Sequence, residues 1–406
     1  MLTVEAALEH VAREVRPLDC ESVVAAEAVG RVLAEDVVSD VDSPPHDKSI
    51  VDGYAVRSAD LETRPITLTV LEEVVAGAVP TKPVTPGTAT RIMTGAPVPD
   101  GAEAIVMVES TQILPGEPQR VVVDSPPLAA GRNVLRRGAS MRQGEVVLRA
   151  GHVVRPVEIG LLSEVGRTSA RVVRQPSVAV FSTGNELVPP GDRPSAGQIR
   201  NSNGPMLLAA VRRAGGKAID LGIGRDEPDE LHRLIVAGLS SDMLVMSGGV
   251  SAGVLDLVPG RLRELGVREV FHKVRIKPGK PVWFGVREVP GHRTLVFGLP
   301  GNPASSLVGF ELFVGPAIRA LSGRPFTPPA TFAARLAGGF DHRGERATYY
   351  PARLTATADG LLAEPLPWQG SADLRTLSQA DGLIHFPAGE RAYAPGEKVL
   401  VSRFET

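Results

Sequence analysis

The residues best suited to chemistry are lysines that lie close together in the second half of the chain. Seven of the 44 basic residues are lysines, and Lys273, Lys277 and Lys280 fall within eight residues. If residues 274–276 form a strand, the alternation of side chains places Lys273, Arg275 and Lys277 on one face. A lysine presents a compact, strongly hydrated ammonium ion, whereas an arginine presents a planar fork. The cluster therefore predicts a site for an anion.

A glycine turn and the start of a helix follow the lysines. Residues 294–297 predict an apolar strand, and residues 298–301 predict a turn. Asn302 then suits the N-cap and Pro303 the first residue of a helix that runs to about Leu321. Backbone N–H groups at such a turn bind oxyanions. A solvated charged strand followed by an ordinary turn is the alternative interpretation, because each piece is common by itself.

Composition limits the classes of protein that fit. The length of 406 residues exceeds a single core and predicts about two to four domains. A net charge of −2 and an aromatic content of 4% argue against a nucleic-acid partner. Cys20 is the single cysteine, which argues against a disulfide framework and a cysteine zinc site. Because apolar runs are short and the N-terminus is charged, we expect a cytoplasmic protein without a membrane partner.

A β-rich module is predicted from Gly30 onward, after an amphipathic helix over residues 3–15. Its predicted strands are residues 31–38, 66–75, 90–93, 104–108, 121–123 and 146–148. Residues 43–60 are too polar and turn-prone for a core strand, so we expect a loop there. Its carboxylates, Asp47 and Asp52, make it a candidate site, and a solvated Asp/Gly turn is an equally weighted alternative.

After a short helix at residues 156–165, alternating strands and helices predict a doubly wound α/β domain. The predicted strands are residues 177–181, 218–221, 243–246, 270–274, 282–284 and 294–297. The predicted helices are residues 203–214, 228–239, 256–265 and 303–321. Prolines after Arg324 predict a linker, and the remainder predicts a small C-terminal β domain.

Loops of small residues follow three of these strands, at residues 182–186, 247–251 and 298–302. In an open parallel sheet such loops meet beyond the carboxyl ends of the strands, where ligands bind. Glu186, Asp226 and Asp256 stand beside them and supply the hard oxygens that Mg²⁺ prefers. Each carboxylate taken alone is better explained as a surface residue or a helix cap. The sequence has neither a GxGxxG motif nor a P-loop, so nicotinamide and P-loop chemistry are not supported.

Six motifs lie along the chain, namely Asp47-x-Ser49-x-x-Asp52-Gly53-Tyr54-Ala55-Val56, Arg91-Ile92-Met93-Thr94-Gly95-Ala96, Ser182-Thr183-Gly184-Asn185-Glu186-Leu187, Ser247-Gly248-Gly249-Val250-Ser251, Lys277-Pro278-Gly279-Lys280-Pro281 and Gly298-Leu299-Pro300-Gly301-Asn302-Pro303. In this order they make the chain resemble, over nearly its full length, the molybdopterin molybdenumtransferase family. That family comprises bacterial molybdate-insertion enzymes and the related domain of gephyrin.

The resemblance implies a multidomain α/β plus β fold and an elongated homodimer. An N-terminal linker and dimerisation domain would comprise residues 1–40 and 137–173, and a β-rich module with part of the active site residues 41–136. A doubly wound, molybdopterin-binding α/β domain would comprise residues 174–324, and a C-terminal domain similar to a β-barrel residues 325–406. The catalytic cleft would lie between the α/β domain of one subunit and the β-rich module of the other.

The reaction implied by the resemblance is insertion of molybdate into the dithiolene of adenylylated molybdopterin, with Mg²⁺-dependent release of AMP to give molybdenum cofactor. This agrees with the residues, because the substrate carries phosphates, the other reactant is an oxyanion, and Mg²⁺ would neutralise charge on the leaving phosphate. Molybdopterin adenylyltransferase and proteins that mature molybdenum enzymes are the implied partners.

Matching the chain to the family motif by motif implies roles for individual residues. The implied catalytic residues are Asp52, Thr94, Glu186, Asp226, Asp256, Lys273 and Lys277. Glu186, Asp226 and Asp256 would bind Mg²⁺. Lys273 and Lys277 would bind molybdate or phosphate. The implied substrate-binding residues are Thr183, Gly184, Ser247, Gly248, Gly249, Ser251, Lys280, Pro300, Gly301, Asn302 and Pro303.

Departures from the family pattern remove negative charge or add positive charge. Ala139 and Ser140 stand where the family has Glu and Asp. Arg200 and Asn201 stand where it has Tyr and Asp, and Val254 stands where it has Glu. These changes leave open a catalytically impaired paralogue that binds molybdopterin or molybdenum cofactor as a scaffold. A nucleotide hydrolase on the same α/β domain and a tungstate-specific variant are further alternatives.

Overall fold

The computed structural model describes residues 1–116, 118–250 and 257–404. They belong to two compact units. The first unit comprises Met1–Val23, Ala28–Ala34 and Arg171–Thr406. The second unit comprises Val24–Glu27 and Glu35–Ala170. Each unit buries hydrophobic clusters of its own.

The second unit is built on a six-stranded sheet. Its strands lie in the order Ala104–Met107, Gly53–Val56, Thr88–Ile92, Ile66–Val74, Arg120–Val123 and Thr111–Leu114. Side chains alternate between the faces of a strand, so Tyr54 and Val56 pack in one buried cluster and Ala55 in another. The sheet is therefore covered on both faces at this strand.

The expectation of a loop over residues 43–60 is wrong for part of this segment. Gly53–Val56 is a strand with every residue buried, paired with Thr88–Ile92 and Ala104–Met107. Glycine is required at its start because a Cβ on Gly53 would lie 1.8 Å from the carbonyl oxygen of Val106. The apolar run is short and follows a polar segment, so the polarity of the segment concealed it.

Shorter elements complete the second unit. Lys48–Ser49 pairs with Val134–Leu135, and Val37–Val38 pairs with Val146–Leu148. The other elements are the helix Pro156–Glu164 and the 3₁₀ turns Ala25–Glu27, Ser58–Leu61 and Val108–Ser110. The strand predicted over residues 31–38 is wrong except for Val37–Val38, and Leu33 makes only an isolated bridge with Val172. Two further strands, Cys20–Val24 and Ser169–Val173, lie at the boundaries of the units.

The first unit contains a six-stranded sheet with helices on both faces, as predicted. Its strands lie in the order Lys217–Gly224, Ser177–Thr183, Met243–Ser247, His292–Leu299, Trp283–Val289 and Arg268–His272. The first four are parallel, and Trp283–Val289 is antiparallel to both of its neighbours. The described helices of this unit that precede residue 325 are Val4–Glu14, Asn203–Arg213, Pro228–Gly238, Leu257–Glu264, Pro303–Gly309 and Gly315–Leu321, the last two joined by the π turn Phe310–Val314.

The central strand Ser177–Thr183 shows why helices cover both faces. Val178 and Val180 belong to a cluster that includes residues of the helix Asn203–Arg213. Ala179 and Phe181, which point the other way, belong to a cluster that includes residues of the helix Pro228–Gly238. A strand buried on both faces needs a continuous apolar run, and this one has it.

The order of the parallel strands places a switch point between Ser177–Thr183 and Met243–Ser247. The chain passes from Ser177–Thr183 to its neighbour Lys217–Gly224 on one side and then to Met243–Ser247 on the other. Ligands of open α/β sheets bind beyond the carboxyl ends of the strands at this point. The loops that follow residues 183 and 247 are therefore placed to line a site.

The helical segment Pro303–Leu321 is apolar and, at 19 residues, long enough by length and composition to cross a membrane. It is 83% buried inside the protein, and Val308, Phe313 and Ile318 belong to the core of the α/β domain. It is therefore a core helix of the fold.

Residues 274–276 do not form one strand, and the strand predicted over residues 270–274 ends at His272. The preceding strand ends at His272, and the next, Ile276–Lys277, pairs with Ala347–Thr357. Lys273 between them has a φ of +72°, which no regular strand accommodates. Its N–H donates to the carbonyl of Val282, beside the paired residues His272 and Trp283, so the left-handed residue directly follows the end of this strand pairing.

The C-terminal part of the first unit is a closed five-stranded barrel, in agreement with the expected β-barrel-like domain. Its strands are, in order around the barrel, Ala347–Thr357, Gly360–Pro365, Thr331–Leu336, Lys398–Arg403 and Gly382–Phe386, which pairs again with Ala347–Thr357. Phe340–His342 pairs with Arg391–Tyr393 beside it, and Leu374–Leu377 is a short helix. Closure leaves no free edge within this ring of strands.

Candidate active site

Three loops at the carboxyl ends of the parallel strands enclose a cavity of about 330 Å³, called here the loop-lined cavity. Its lining residues are Thr183, Glu186, Leu187, Ile199, Asn203, Ser247, Gly249, Val250, Pro281, Pro300, Gly301 and Asn302. The structure thus brings together residues of the three loops that the sequence predicts to meet. Ser251, another predicted binding residue, lies outside the described residues.

Glycines allow these loops to approach each other closely. Gly248 has a φ of +95°, and a Cβ there would lie 2.3 Å from the carbonyl oxygen of Thr183. Gly249 has a φ of +66°, and its Cβ would lie 2.9 Å from the methyl group of Thr183. A Cβ on Gly301 would come within 3.9 Å of the Cα of Gly248. Backbone is therefore packed directly on backbone, which only glycine permits at Gly248.

The carboxylates Glu186 and Asp226 lie on neighbouring loops. Glu186 folds back over Gly184, where a Cβ would lie 2.5 Å from its Oε2. The hydroxyl of Thr183 donates to Asp226 Oδ1 at 2.6 Å, and the Asp226 N–H donates to Asn185 Oδ1 at 3.1 Å. No three His, Cys, Asp or Glu side chains cluster as a metal site within residues 1–116, 118–250 and 257–404. Asp256, the third predicted ligand, lies outside this part of the chain.

Two asparagines hold the helix Asn203–Arg213 at the edge of the loop-lined cavity. Asn201 Oδ1 accepts a hydrogen bond of 3.0 Å from the Gly204 N–H. Asn203 Nδ2 donates to Ser247 Oγ at 2.7 Å and to the Gly301 carbonyl at 2.6 Å. Asn201, noted in the sequence for a lost charge, therefore has a structural role. Asn203 is absent from the predicted site residues because an asparagine in the first turn of a helix gives no signal of a binding role in the sequence.

A second space of about 730 Å³, called here the cationic pocket, lies where residues 277–280 face the barrel. Its basic residues are Lys277, Lys280, Arg343 and Arg346. The other lining residues are Pro278, Gly279, Ser305, Phe340, Asp341, His342, Thr348, Tyr350, Trp368, Gln369, Gly370 and Ser371. The sequence pattern identifies the two lysines but not the two arginines, which stand far along the chain and meet the lysines only in the folded protein.

Side chains in the cationic pocket are held by hydrogen bonds to the backbone. Arg346 Nη1 donates to the Ile276 carbonyl at 2.9 Å. His342 Nδ1 lies 2.8 Å from the Gly389 carbonyl, which can only accept, so this nitrogen carries a proton. His342 Nε2 lies 2.8 Å from the Thr348 hydroxyl. The Tyr350 and Trp368 rings meet edge to face with 5.4 Å between centroids, and burial raises the pKa of Tyr350.

Asn302 is the N-cap residue and Pro303 the first residue of the helix, as predicted, although the Asn302 side chain makes no capping hydrogen bond. Its Nδ2 donates to Ser371 Oγ of the barrel at 2.9 Å. The Ser371 carbonyl accepts instead from the Ala304 N–H at 3.0 Å. A residue of the barrel thus satisfies a donor at the start of a helix of the α/β domain.

Lys273, four residues before Lys277 of the cationic pocket in the sequence, has an unusual backbone conformation. It is half-buried and is one of two non-glycine residues with positive φ among those described, the other being Asn133. A left-handed conformation costs a residue such as lysine about 1–2 kcal/mol. Strain of this kind is concentrated at functional sites.

In the second unit, Thr94 holds the carboxylate of Asp52. The Thr94 N–H and hydroxyl both donate to Asp52 Oδ1, each at 2.7 Å. The backbone N–H and then the hydroxyl lower the pKa of Asp52, so this carboxylate is ionised at neutral pH. Arg136 pairs with Asp47 at 2.5 Å, so the charge of this arginine has a local partner.

Three family models together match most of the chain. Residues 2–166 match the MoeA N-terminal region (domain I and II), residues 179–320 a probable molybdopterin binding domain, and residues 333–404 the MoeA C-terminal region (domain IV). Together with the sheet, the barrel and the loop-lined cavity, they define a multidomain protein of the MoeA class.

Named relatives narrow the class to one family. The chain is 32% identical to a molybdopterin molybdenumtransferase of Staphylococcus aureus, over 98% of this chain and 94% of the relative. It is 33% identical to that of Bacillus subtilis, over 98% and 93%. A solved structure of the molybdopterin biosynthesis MoeA protein from Pyrococcus horikoshii matches with a TM-score of 0.82 and 30% identity over both whole chains. The chain belongs to the molybdopterin molybdenumtransferase (MoeA) family.

Proposed function

We propose that this chain inserts molybdate into adenylylated molybdopterin, releasing AMP and leaving molybdenum cofactor. The observation that carries the proposal is the contact between the cationic pocket and the loop-lined cavity. Lys280 lines the former and Pro281 the latter. Asn302 of the cavity donates to Ser371 of the pocket at 2.9 Å. Two adjoining spaces suit a substrate that carries a ring system and phosphates together with a second, small oxyanion.

The cationic pocket supplies the electrostatics for binding molybdate or phosphate. Four cationic side chains, those of Lys277, Lys280, Arg343 and Arg346, line the pocket together with one carboxylate, Asp341, so positive charge dominates. Lysine acts as a point charge and arginine as a planar fork, and the pocket offers both to a tetrahedral oxyanion. Attraction for a doubly charged anion is strengthened where water is partly excluded.

We propose Glu186 and Asp226 as the ligands of Mg²⁺. The ion prefers one or two carboxylates together with substrate phosphate oxygens and retained waters, and Glu186 lines the loop-lined cavity. Bound there, the ion would neutralise charge on the departing phosphate. Thr183 orients Asp226 through its 2.6 Å hydrogen bond, and Glu186 is held against Gly184. Asp52, kept ionised by Thr94, is assigned to the same reaction from the motif it shares with the family.

The test is AMP release from adenylylated molybdopterin by the purified protein with Mg²⁺, with and without molybdate. We expect molybdate-dependent release, and we expect Lys277→Ala to reduce it by about 10²–10³-fold because a charge at the reacting oxyanion is lost. The matched control is Lys217→Ala, since Lys217 is an exposed lysine at the amino end of its strand. Equal loss in both variants would contradict the assignment of Lys277.

A molybdopterin-binding scaffold is the second candidate. Ala139 and Ser140 stand where the family has carboxylates, and no three-residue acidic cluster exists in the described segments 1–116, 118–250 and 257–404. This candidate predicts tight binding of adenylylated molybdopterin without AMP release under either condition. The same assay therefore separates the two candidates.

The assembly and location of the chain are proposed from its family. We propose a cytoplasmic homodimer that receives its substrate from molybdopterin adenylyltransferase and passes molybdenum cofactor to proteins that mature molybdenum enzymes. Sedimentation equilibrium tests the dimer, for which the expected mass is twice the 42.8 kDa of the chain. A monomer at micromolar concentration would contradict it.

A further inference from the structure

The cationic pocket has an aromatic side that the binding of an anion does not explain. Phe340, Tyr350 and Trp368, called here the aromatic wall, line it together with the lysines and arginines. All three residues are only partly buried. A tetrahedral oxyanion held by the cations would fill a small part of the 730 Å³, a volume within the usual range for sites of larger organic ligands. The pocket therefore has room for a second group beside the anion.

The rings of the aromatic wall hold each other in place. Tyr350 meets Phe340 edge to face, with 4.8 Å between centroids and 68° between planes. It meets Trp368 at 5.4 Å and 89°. Phe340 is in turn stacked on Phe386 of the barrel core, with 4.5 Å between centroids. The wall is thus organised before a ligand arrives, so binding need not order it.

The surface that the aromatic wall offers to a ligand is carbon. Nε1 of Trp368 is buried and has no hydrogen-bond partner among the described residues, so the indole contacts the pocket through its carbon atoms. Within residues 1–116, 118–250 and 257–404, the cation that stacks on a ring is Arg391, over Tyr393, and neither residue lines the pocket. Aromatic carbon that no cation of the pocket covers suits a flat, aromatic part of a ligand.

The reaction decides which ring of the substrate lies beside the anion. Molybdate enters at the dithiolene, and the dithiolene carbons belong to a ring that is fused to the pterin. The adenine is separated from the dithiolene by two phosphate groups and a ribose. With molybdate on the cations of the pocket, the pterin is therefore the ring next to it.

We propose that the pterin of the substrate stacks on the aromatic wall, which makes Tyr350 and Trp368 substrate-binding residues. This inference rests on the proposed function, because it takes molybdate as the anion of the cationic pocket. The phosphate groups then extend past Lys280 and Pro281 into the loop-lined cavity, towards Glu186. Phosphate and the proposed Mg²⁺ ligand therefore meet in one space, and the pterin and molybdate meet in the other.

The test is a titration of the whole protein with the stable probe 6-hydroxymethylpterin, followed through the fluorescence of the pterin. We expect Trp368→Ala to weaken binding about tenfold, the effect of losing one aromatic stacking partner. Trp368→Phe keeps a ring at this place and should bind within about threefold of the unaltered protein. The matched control is Phe332→Ala, since Phe332 is a 47% exposed aromatic residue of the same barrel that does not line the pocket.

A second titration, with AMP, separates the pterin from the adenine. Both are flat and aromatic, so stacking alone does not distinguish them. We expect the affinity for AMP to be the same in Trp368→Ala and in the unaltered protein, because the adenine lies outside the cationic pocket.

Three results would overturn the inference. The first is no binding of the pterin by the unaltered protein at millimolar concentration, a result that does not depend on the folding of any variant. The second is equal binding of the pterin by the unaltered protein and Trp368→Ala. The third is an affinity for AMP that falls in Trp368→Ala, which would make adenine the occupant of the wall. The proposed transferase activity is judged separately, because AMP release from the full substrate is measured without this probe.

Discussion

Two substitutions of Lys273 separate the effect of its backbone conformation on the stability of the protein from the effect of its ammonium group on activity. Lys273 adopts a φ of +72°. In Lys273→Ala the ammonium group is lost and the strain stays. In Lys273→Gly the ammonium group is lost and the strain is relieved, because glycine adopts positive φ freely.

The difference in stability between the two variants follows from two opposing contributions. Relief of the left-handed conformation is worth about 1–2 kcal/mol. Glycine loses about 0.4–1 kcal/mol relative to alanine through the entropy of the unfolded chain. We therefore expect Lys273→Gly to be more stable than Lys273→Ala by about 0 to 1.5 kcal/mol in its free energy of unfolding.

The assays are urea unfolding and molybdate-dependent AMP release. We expect the Gly and Ala variants to differ in unfolding midpoint and to share a loss of AMP release of about a hundredfold, because both lack the same charge. A Gly variant clearly less stable than the Ala variant would refute the assignment of strain. Full activity in either variant would show that the ammonium group of Lys273 is not needed and would leave the strain without a function.

Three further expectations concern single groups. Gly248→Ala should destabilise the protein by at least about 2 kcal/mol more than Gly30→Ala in urea unfolding, since both have positive φ but only Gly248 has backbone within 3 Å of a Cβ. Burial lowers the pKa of His385 to about 4, so on acidification the unfolded chain takes up a proton that the folded protein does not. The free energy of unfolding should therefore fall by about 2 kcal/mol between pH 6.5 and 5, and His385→Gln should abolish this dependence on pH. Thr94→Ala should raise the pKa of Asp52 in an NMR titration, but not to its usual value, because the backbone N–H still donates.

Continuous apolar runs make the strands of the α/β sheet predictable. Ser177–Thr183 is apolar on both faces and was recognised as a strand because a strand covered twice needs such a run. Gly53–Val56 is buried in the same way but was not recognised, since it is short and follows a polar loop. Local composition therefore identifies long buried strands and misses short ones.

The candidate site was predictable only where its residues are local in sequence. The glycine loops and Lys277 were found from their spacing. Arg343 and Arg346 were not, because their place in the cationic pocket depends on how the barrel packs. Asn203 is not predictable either, since its hydrogen bonds to Ser247 and to the Gly301 carbonyl join segments that are far apart in the sequence. The turn at Lys273 was hidden because lysine gives no signal for positive φ.

The hydrogen bonds from Asn302 and Ala304 to Ser371 bear on how such proteins evolve. The C-terminal domain supplies an acceptor to a helix of the α/β domain, so the two are not energetically independent modules. An α/β domain that stood alone would satisfy that helix end with water or with a side chain of its own. Recombination that brought in a different barrel would forfeit about 0.5–1.5 kcal/mol unless its loop presented a carbonyl at the same place.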